Sequence, residues 1–196
     1  MSSQVFWFTA RASGIVAWGL AATSVVWGLA LSTRLLGRRP RPGWLLDLHR
    51  FLGGLALVFT GLHVLSVLAD SYVHFSLVNV LVPLTGDWHP LAVAWGVAGL
   101  YLLLAVELTS LARPRVPRRL WRRVHYAGFA VYAMTTVHGL TAGTDARAPA
   151  FLAANAAMAA VVAGLTASRV AARGAPAQAR PAAAGGGSAR QPAFRG

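Results

Sequence analysis

Cysteine is absent from all 196 residues, which excludes disulfides, iron–sulfur clusters, thiolate metal sites and covalent haem attachment through Cys-x-x-Cys-His. Lysine is absent too, and acidic residues number only five. Charged residues make up 12% of the chain against 56% hydrophobic ones, and the mean hydropathy is +0.55. That balance excludes a water-soluble globule. A mass of 20.6 kDa leaves no room for a membrane bundle together with a flavin- or nucleotide-binding domain of usual size. The apolar stretches also lack a phosphate loop, a nucleophile elbow and a zinc-protease signature, so a hydrolase or group-transfer enzyme finds little support.

What is present is a set of long uncharged runs. About 20 residues cross roughly 30 Å of hydrocarbon at about 1.5 Å per residue. Five stretches approach that length: 12–31, 51–69, 89–106 with continuation past Glu107, 124–144 and 148–168. They lack the alternation of barrel strands, and a backbone in lipid must satisfy its own hydrogen bonds, so an all-α integral membrane fold with five transmembrane helices is expected. A shorter piece, 71–86, contains Pro83 and reads as a re-entrant or interfacial cap. The net charge of +13 rests on 18 arginines, and their distribution argues against a nucleic-acid face. Arg34, Arg38, Arg39, Arg41 and Arg50 fill the first connection, and Arg113, Arg115, Arg118, Arg119, Arg122 and Arg123 fill the third. Basic loops stay in the cytoplasm, which predicts a multi-pass cell-membrane protein with its N-terminus outside and C-terminus inside. Trp7 and Trp88 then mark the outer interface, and Trp44 and Trp121 the inner one. The organisation expected is an ordered unit over 1–173 and a disordered basic cytoplasmic tail over 174–196, rich in Ala, Pro, Gly and Arg.

With thiols gone, histidine is the main candidate for holding a metal. His49 and His63 bracket the second run, and His125 and His138 bracket the fourth. One intervening span makes these two helices run in the same direction. Spacings of 14 and 13 residues correspond to about 21 and 20 Å of axial rise. His49 therefore lies at the level of His125, and His63 at that of His138. Ionisable groups within a membrane are costly and usually functional. Two imidazoles facing across a gap can ligate a haem iron from both sides, which makes His49 with His125 an inner haem site and His63 with His138 an outer one. At about 100° per residue, a spacing of 13 leaves side chains about 140° apart, so the fourth span needs a bulge, tilt or end effect near Gly128 or Gly139.

Other positions are assigned on weaker grounds. Gly53, Gly54, Gly61, Gly128 and Gly139 adjoin the histidines and either admit a flat cofactor or serve ordinary helix packing. Arg11 is a candidate for neutralising a propionate of the outer haem, with helix anchoring as the alternative. His74 and His89, with Asp70 and Asp87, lie in the outer connection as ordinary polar groups or as a place to receive an acceptor. Glu107 is either a quinol or proton site or an ion-pair partner of the inner arginines.

The pattern His-x13-His in one span and His-x12-His in another resembles the ferric reductase-like transmembrane domain family. The likeness is carried by His49-Arg50-Phe51-Leu52-Gly53 through Gly61-Leu62-His63, and by Arg118 through His125 to Val137-His138-Gly139-Leu140. It extends from about Arg11 to Arg173. The resemblance implies that His49, His63, His125 and His138 are b-type haem ligands, and that the chain is an electron-transfer subunit relaying electrons outward through the lipid bilayer. A cytoplasmic flavoprotein reductase or quinol would be the donor, and an outer acceptor protein or ferric iron the recipient. Two haems are expected and one is possible. The flavin and nicotinamide domains of full-length reductases are absent from the sequence, so self-sufficient reductase activity is not implied. Two alternatives stand beside this. One is a one-haem, quinol-oxidising subunit like those of sulfoxide-repair systems; the other is a non-redox metal transporter or structural membrane protein.

Overall fold

The computed structural model describes residues 2–33, 43–71 and 74–174. Among them the chain forms seven α-helices, one 3-10 turn and no strand. In order these are α1 (Ser2–Thr33), α2 (Gly43–Ala69), α3 (Leu77–Leu81), α4 (Pro90–Leu111), the 3-10 turn Arg113–Arg115, α5 (Arg118–Tyr126), α6 (Gly128–Ala142) and α7 (Pro149–Gly174). Four helices, α1, α2, α4 and α7, are long and apolar enough to cross a bilayer. The fourth run of the sequence, 124–144, is not one long helix. It is divided between α5 and α6, and the 15 residues of α6 rise only about 22 Å.

The helices begin earlier than hydropathy alone indicates. α1 starts at Ser2 and α2 at Gly43, so Arg11 and His49 are helical residues. α4 continues through Glu107 to Leu111. The cap over 71–86 contains the five-residue α3, whose first turn is closed by a reciprocal bond pair between Ser76 and Asn79. Tyr101 of α4 donates to the Leu81 carbonyl and holds α3 against α4. Gly174 still belongs to α7. The rest of the expected tail, 175–196, and Arg34, Arg38, Arg39 and Arg41 of the first basic connection lie outside the described residues.

Two antiparallel hairpins organise the bundle, α1 against α2 and α4 against α6. α1 also packs on α6 and α7. Trp18 and Ala22 of α1 meet Tyr132 of α6, with Phe151, Met158 and Val162 of α7 closing around them. The Trp18 indole donates to Thr136 at 2.9 Å, and the Trp27 indole donates to the Leu45 carbonyl at 2.8 Å. α2 and α6, which carry the histidines, pack mainly on α1 and α4 and leave a space between themselves. Large apolar side chains such as Val58 and Leu65 of α2 and Leu91 and Leu111 of α4 point outward. In water they would be an association hazard; against acyl chains they are the expected surface.

Candidate cofactor site

The four histidines meet in the pairs that their spacing predicts. The His49 and His125 ring centroids are 5.8 Å apart with planes at 80°, and those of His63 and His138 are 6.2 Å apart at 77°. Along α2 the two pairs are separated by 14 residues, about 21 Å.

At the His63 end, the neighbouring helices aim each imidazole. His63 Nδ1 donates to the Ala10 carbonyl of α1 at 2.8 Å, and His138 Nδ1 donates to the Ala92 carbonyl of α4 at 2.8 Å. A carbonyl only accepts, so Nδ1 carries the proton in both rings and Nε2 keeps its lone pair. Four residues beyond each carbonyl stands a glycine. A Cβ on Gly14 would meet His63 Nδ1 at 2.9 Å, and one on Gly96 would meet His138 Nδ1 at 2.9 Å. The motif Ala-x-x-x-Gly thus recurs, Ala10 to Gly14 and Ala92 to Gly96, and each copy seats one histidine. At the other end, His49 Nδ1 lies 3.3 Å from the Ser24 hydroxyl, and a Cβ on Gly28 would meet the His49 ring at 3.2 Å. His125 stacks on Trp121, which lies under the Arg113 guanidinium, and its buried Nδ1 has no protein partner.

The glycines that matter therefore sit on the facing helices α1 and α4, not beside the histidines in sequence. Gly54, Gly61 and Gly128 face open space; Gly53 lies against the Glu107 carboxyl and Gly139 against Phe151. One signal was available in the sequence. Gly14 and Gly28 are spaced by 14 residues, as His49 and His63 are, and antiparallel packing puts the two series in register.

The helix break supplies part of the rotation missing from the 13-residue spacing. Between Tyr126 and Gly128 the Ala127 N–H bonds to the Val124 carbonyl, three residues back, at 2.9 Å. A three-residue turn advances about 120° per residue in place of about 100°, which carries His125 round toward the face of His138.

A cavity of about 270 Å³ opens at the His63–His138 pair. Its walls are mainly apolar, from Ile15, Val64, Val97, Leu100 and Phe151 among others, with Arg11, Asp70 and Asp145 as polar members. Arg11 is paired through both Nε, at 2.9 Å, and Nη2 with the Asp145 carboxylate, and it lies over the Trp7 ring. Asp70 is 8% exposed, and its Oδ1 has no partner. Trp7 and Trp88 lie at this end, and Trp121 at the other. His74 and His89 are exposed and apart from both pairs. Arg118, Arg119, Arg122 and Arg123 are exposed on α5. Glu107 forms no ion pair among the described residues.

These residues fit a bis-imidazole iron. Imidazole nitrogen sits about 2.0–2.1 Å from a first-row metal. Two such ligands on opposite sides of one ion put their ring centroids roughly 6–6.5 Å apart, close to the observed 5.8 and 6.2 Å. Among the described residues no group of three or more His, Asp or Glu converges. Side chains alone therefore offer two ligands per level, and a bound metal would need a macrocycle for its remaining positions.

A family model described as "Ferric reductase like transmembrane component" matches residues 13–136, a segment holding all the ligand candidates except His138 and Arg11. No curated protein and no solved structure matches the chain.

Proposed function

The chain belongs to the ferric reductase-like transmembrane family, and on that premise we propose that it carries single electrons across a bilayer through two b-type haems. His49 with His125 holds the inner haem, and His63 with His138 the outer one. The observation that carries the reading is the pair of facing imidazoles at two matched levels. α5 and α6 together make the fifth crossing, the N-terminus lies outside, and the basic connections face the cytoplasm. Electrons enter from a cytoplasmic flavoprotein or quinol and leave to an outer acceptor protein or ferric iron.

Bound haem supplies a reversible one-electron change at iron. The protein does the rest. The Ala10 and Ala92 carbonyls fix the tautomer and orientation of His63 and His138 and raise their basicity as ligands. Val97, Leu100 and Phe151 keep water from the cavity and hold its dielectric low. Arg11 stands at the mouth as the one cation lining the cavity among the described residues, placed to receive a propionate, with Asp145 setting its direction.

The test is haem content. Purified protein supplied with haem should give a low-spin b-type spectrum on dithionite reduction, with about two haems per chain. His63→Ala and His138→Ala should each remove one of them. A colourless preparation, or unchanged stoichiometry in both variants, overturns the reading. A second reading, one haem at the outer site with quinol oxidised at the other end, is favoured by the asymmetry of the pairs. Only His63 and His138 have backbone carbonyl anchors, whereas His125 Nδ1 has no partner. One haem per chain, lost in His63→Ala and retained in His49→Ala, would establish it.

A further inference from the structure

Glu107 is the acidic residue within α4, and its carboxyl rests on the backbone of α2 at Gly53. That contact exists because Gly53 has no side chain: a Cβ there would collide with Oε1. Gly53 is four residues from His49, about 6 Å along α2, so the carboxyl lies between the two histidine levels and nearer the His49–His125 pair. Every charged group on the packed elements is engaged elsewhere or turned outward. On α2, Asp47 and Arg50 pair with each other, His49 meets Ser24 and His63 meets Ala10. On α5, Arg118, Arg119, Arg122 and Arg123 are exposed, Tyr126 meets Arg169 of α7, and His125 stacks on Trp121. On α6, His138 meets Ala92 and Tyr132 lies in the Trp18 cluster. Outside α2, α5 and α6, Arg113 covers Trp121. Ser110, one turn toward the end of α4, has a buried hydroxyl without a partner, a group able both to accept and to donate a proton.

A carboxylate at this depth with no cation beside it is stable only while positive charge is near. The iron–porphyrin core of the inner site would carry one such charge when ferric and none when ferrous. We propose that Glu107 is a redox-linked proton site: it binds one proton as one electron reaches the His49–His125 site, and releases it as that electron moves on. This rests on the two-haem reading above. In the first step the donor, a flavoprotein or quinol, gives up one electron, which a haem held by His49 and His125 would accept at its ferric iron, and a cytoplasmic proton forms an O–H bond on Glu107, with Ser110 on its path. In the second step the electron passes to the outer site, the O–H bond breaks and the proton returns. The uptake keeps the net charge of the inner half constant.

The experiment is a spectroelectrochemical titration of haem-loaded protein from pH 5 to pH 9. One of the two potentials in the wild type should change with pH, approaching a tenfold shift in equilibrium constant per pH unit, about 59 mV for one electron, within part of that range. Glu107→Gln should abolish the slope for that haem and leave the other haem unchanged. Gly53→Ala, which presses on the same carboxyl, should displace the pH window. A second readout is modification by dicyclohexylcarbodiimide, an apolar reagent for protonated carboxyls, located by mass spectrometry. Glu107 should react faster in dithionite-reduced than in oxidised protein. A slope that survives Glu107→Gln, a wild type with no slope, or labelling independent of redox state overturns the inference while the two-haem reading stands. A colourless preparation overturns both.

Discussion

The carbonyl oxygens of Ala10 and Ala92 determine how His63 and His138 present themselves, and two glycines decide whether those rings fit. A side chain at Gly14 or Gly96 would push on the imidazole edge whose Nδ1 is already held by a hydrogen bond. Overpacking of this kind costs about 1–3 kcal/mol, and here the strain falls on the ligand. Gly14→Val and Gly96→Val should each lower haem content at the outer site by half or more, measured as pyridine haemochrome. Gly54→Ala and Gly61→Ala, which meet open space, should retain full haem and gain up to about 1 kcal/mol from helix propensity. Equal haem loss in both sets would remove the distinction between facing and adjacent glycines. The Arg11–Asp145 pair is partly exposed, at 30% and 28%, so its loss is screened. Asp145→Asn should cost about 1 kcal/mol, read as a fall of a few degrees in the detergent melting temperature.

Among the elements, the divided pair α5 and α6 shows where the sequence was informative and where it was not. Four histidines at two levels, and the angular mismatch of the 13-residue spacing, follow from residue numbers alone. So does the need for an irregularity near Gly128, which appears at Ala127. The division into two helices was not legible, because hydropathy averages over a break that removes few apolar residues. Helix starts were missed for a related reason: Ser2, Ser3 and Gln4 in α1, and Asp47 in α2, are polar residues that a search for uncharged apolar runs leaves out. The seats of the histidines were missed because a contact between helices leaves no trace in the neighbours of either residue along its own chain. One alanine inserted between Tyr126 and Ala127 tests the break directly. It turns α5 by about 100° against α6 and should abolish ligation at His125 while leaving the His63–His138 site loaded, one haem in place of two.

At the scale of the whole molecule, the lack of cysteine makes direction in the membrane simple to measure. Asp87, in the connection before α4, and Arg119, on α5 beyond the other end of α4, are both exposed. In intact cells a membrane-impermeant maleimide should label Asp87→Cys, and should label Arg119→Cys only after permeabilisation. The reverse pattern would invert the orientation and, with it, the direction of electron flow.

The bond from Arg11 to Asp145 spans 134 positions of sequence. A ribosome must therefore have made nearly all of the helical part of the chain before the outer chamber can close, since its first wall waits for the loop ahead of the last helix. Until then the chamber stays open on one side. Porphyrin delivered during insertion would meet an unlatched binding site, and a latch added late would hinder its escape.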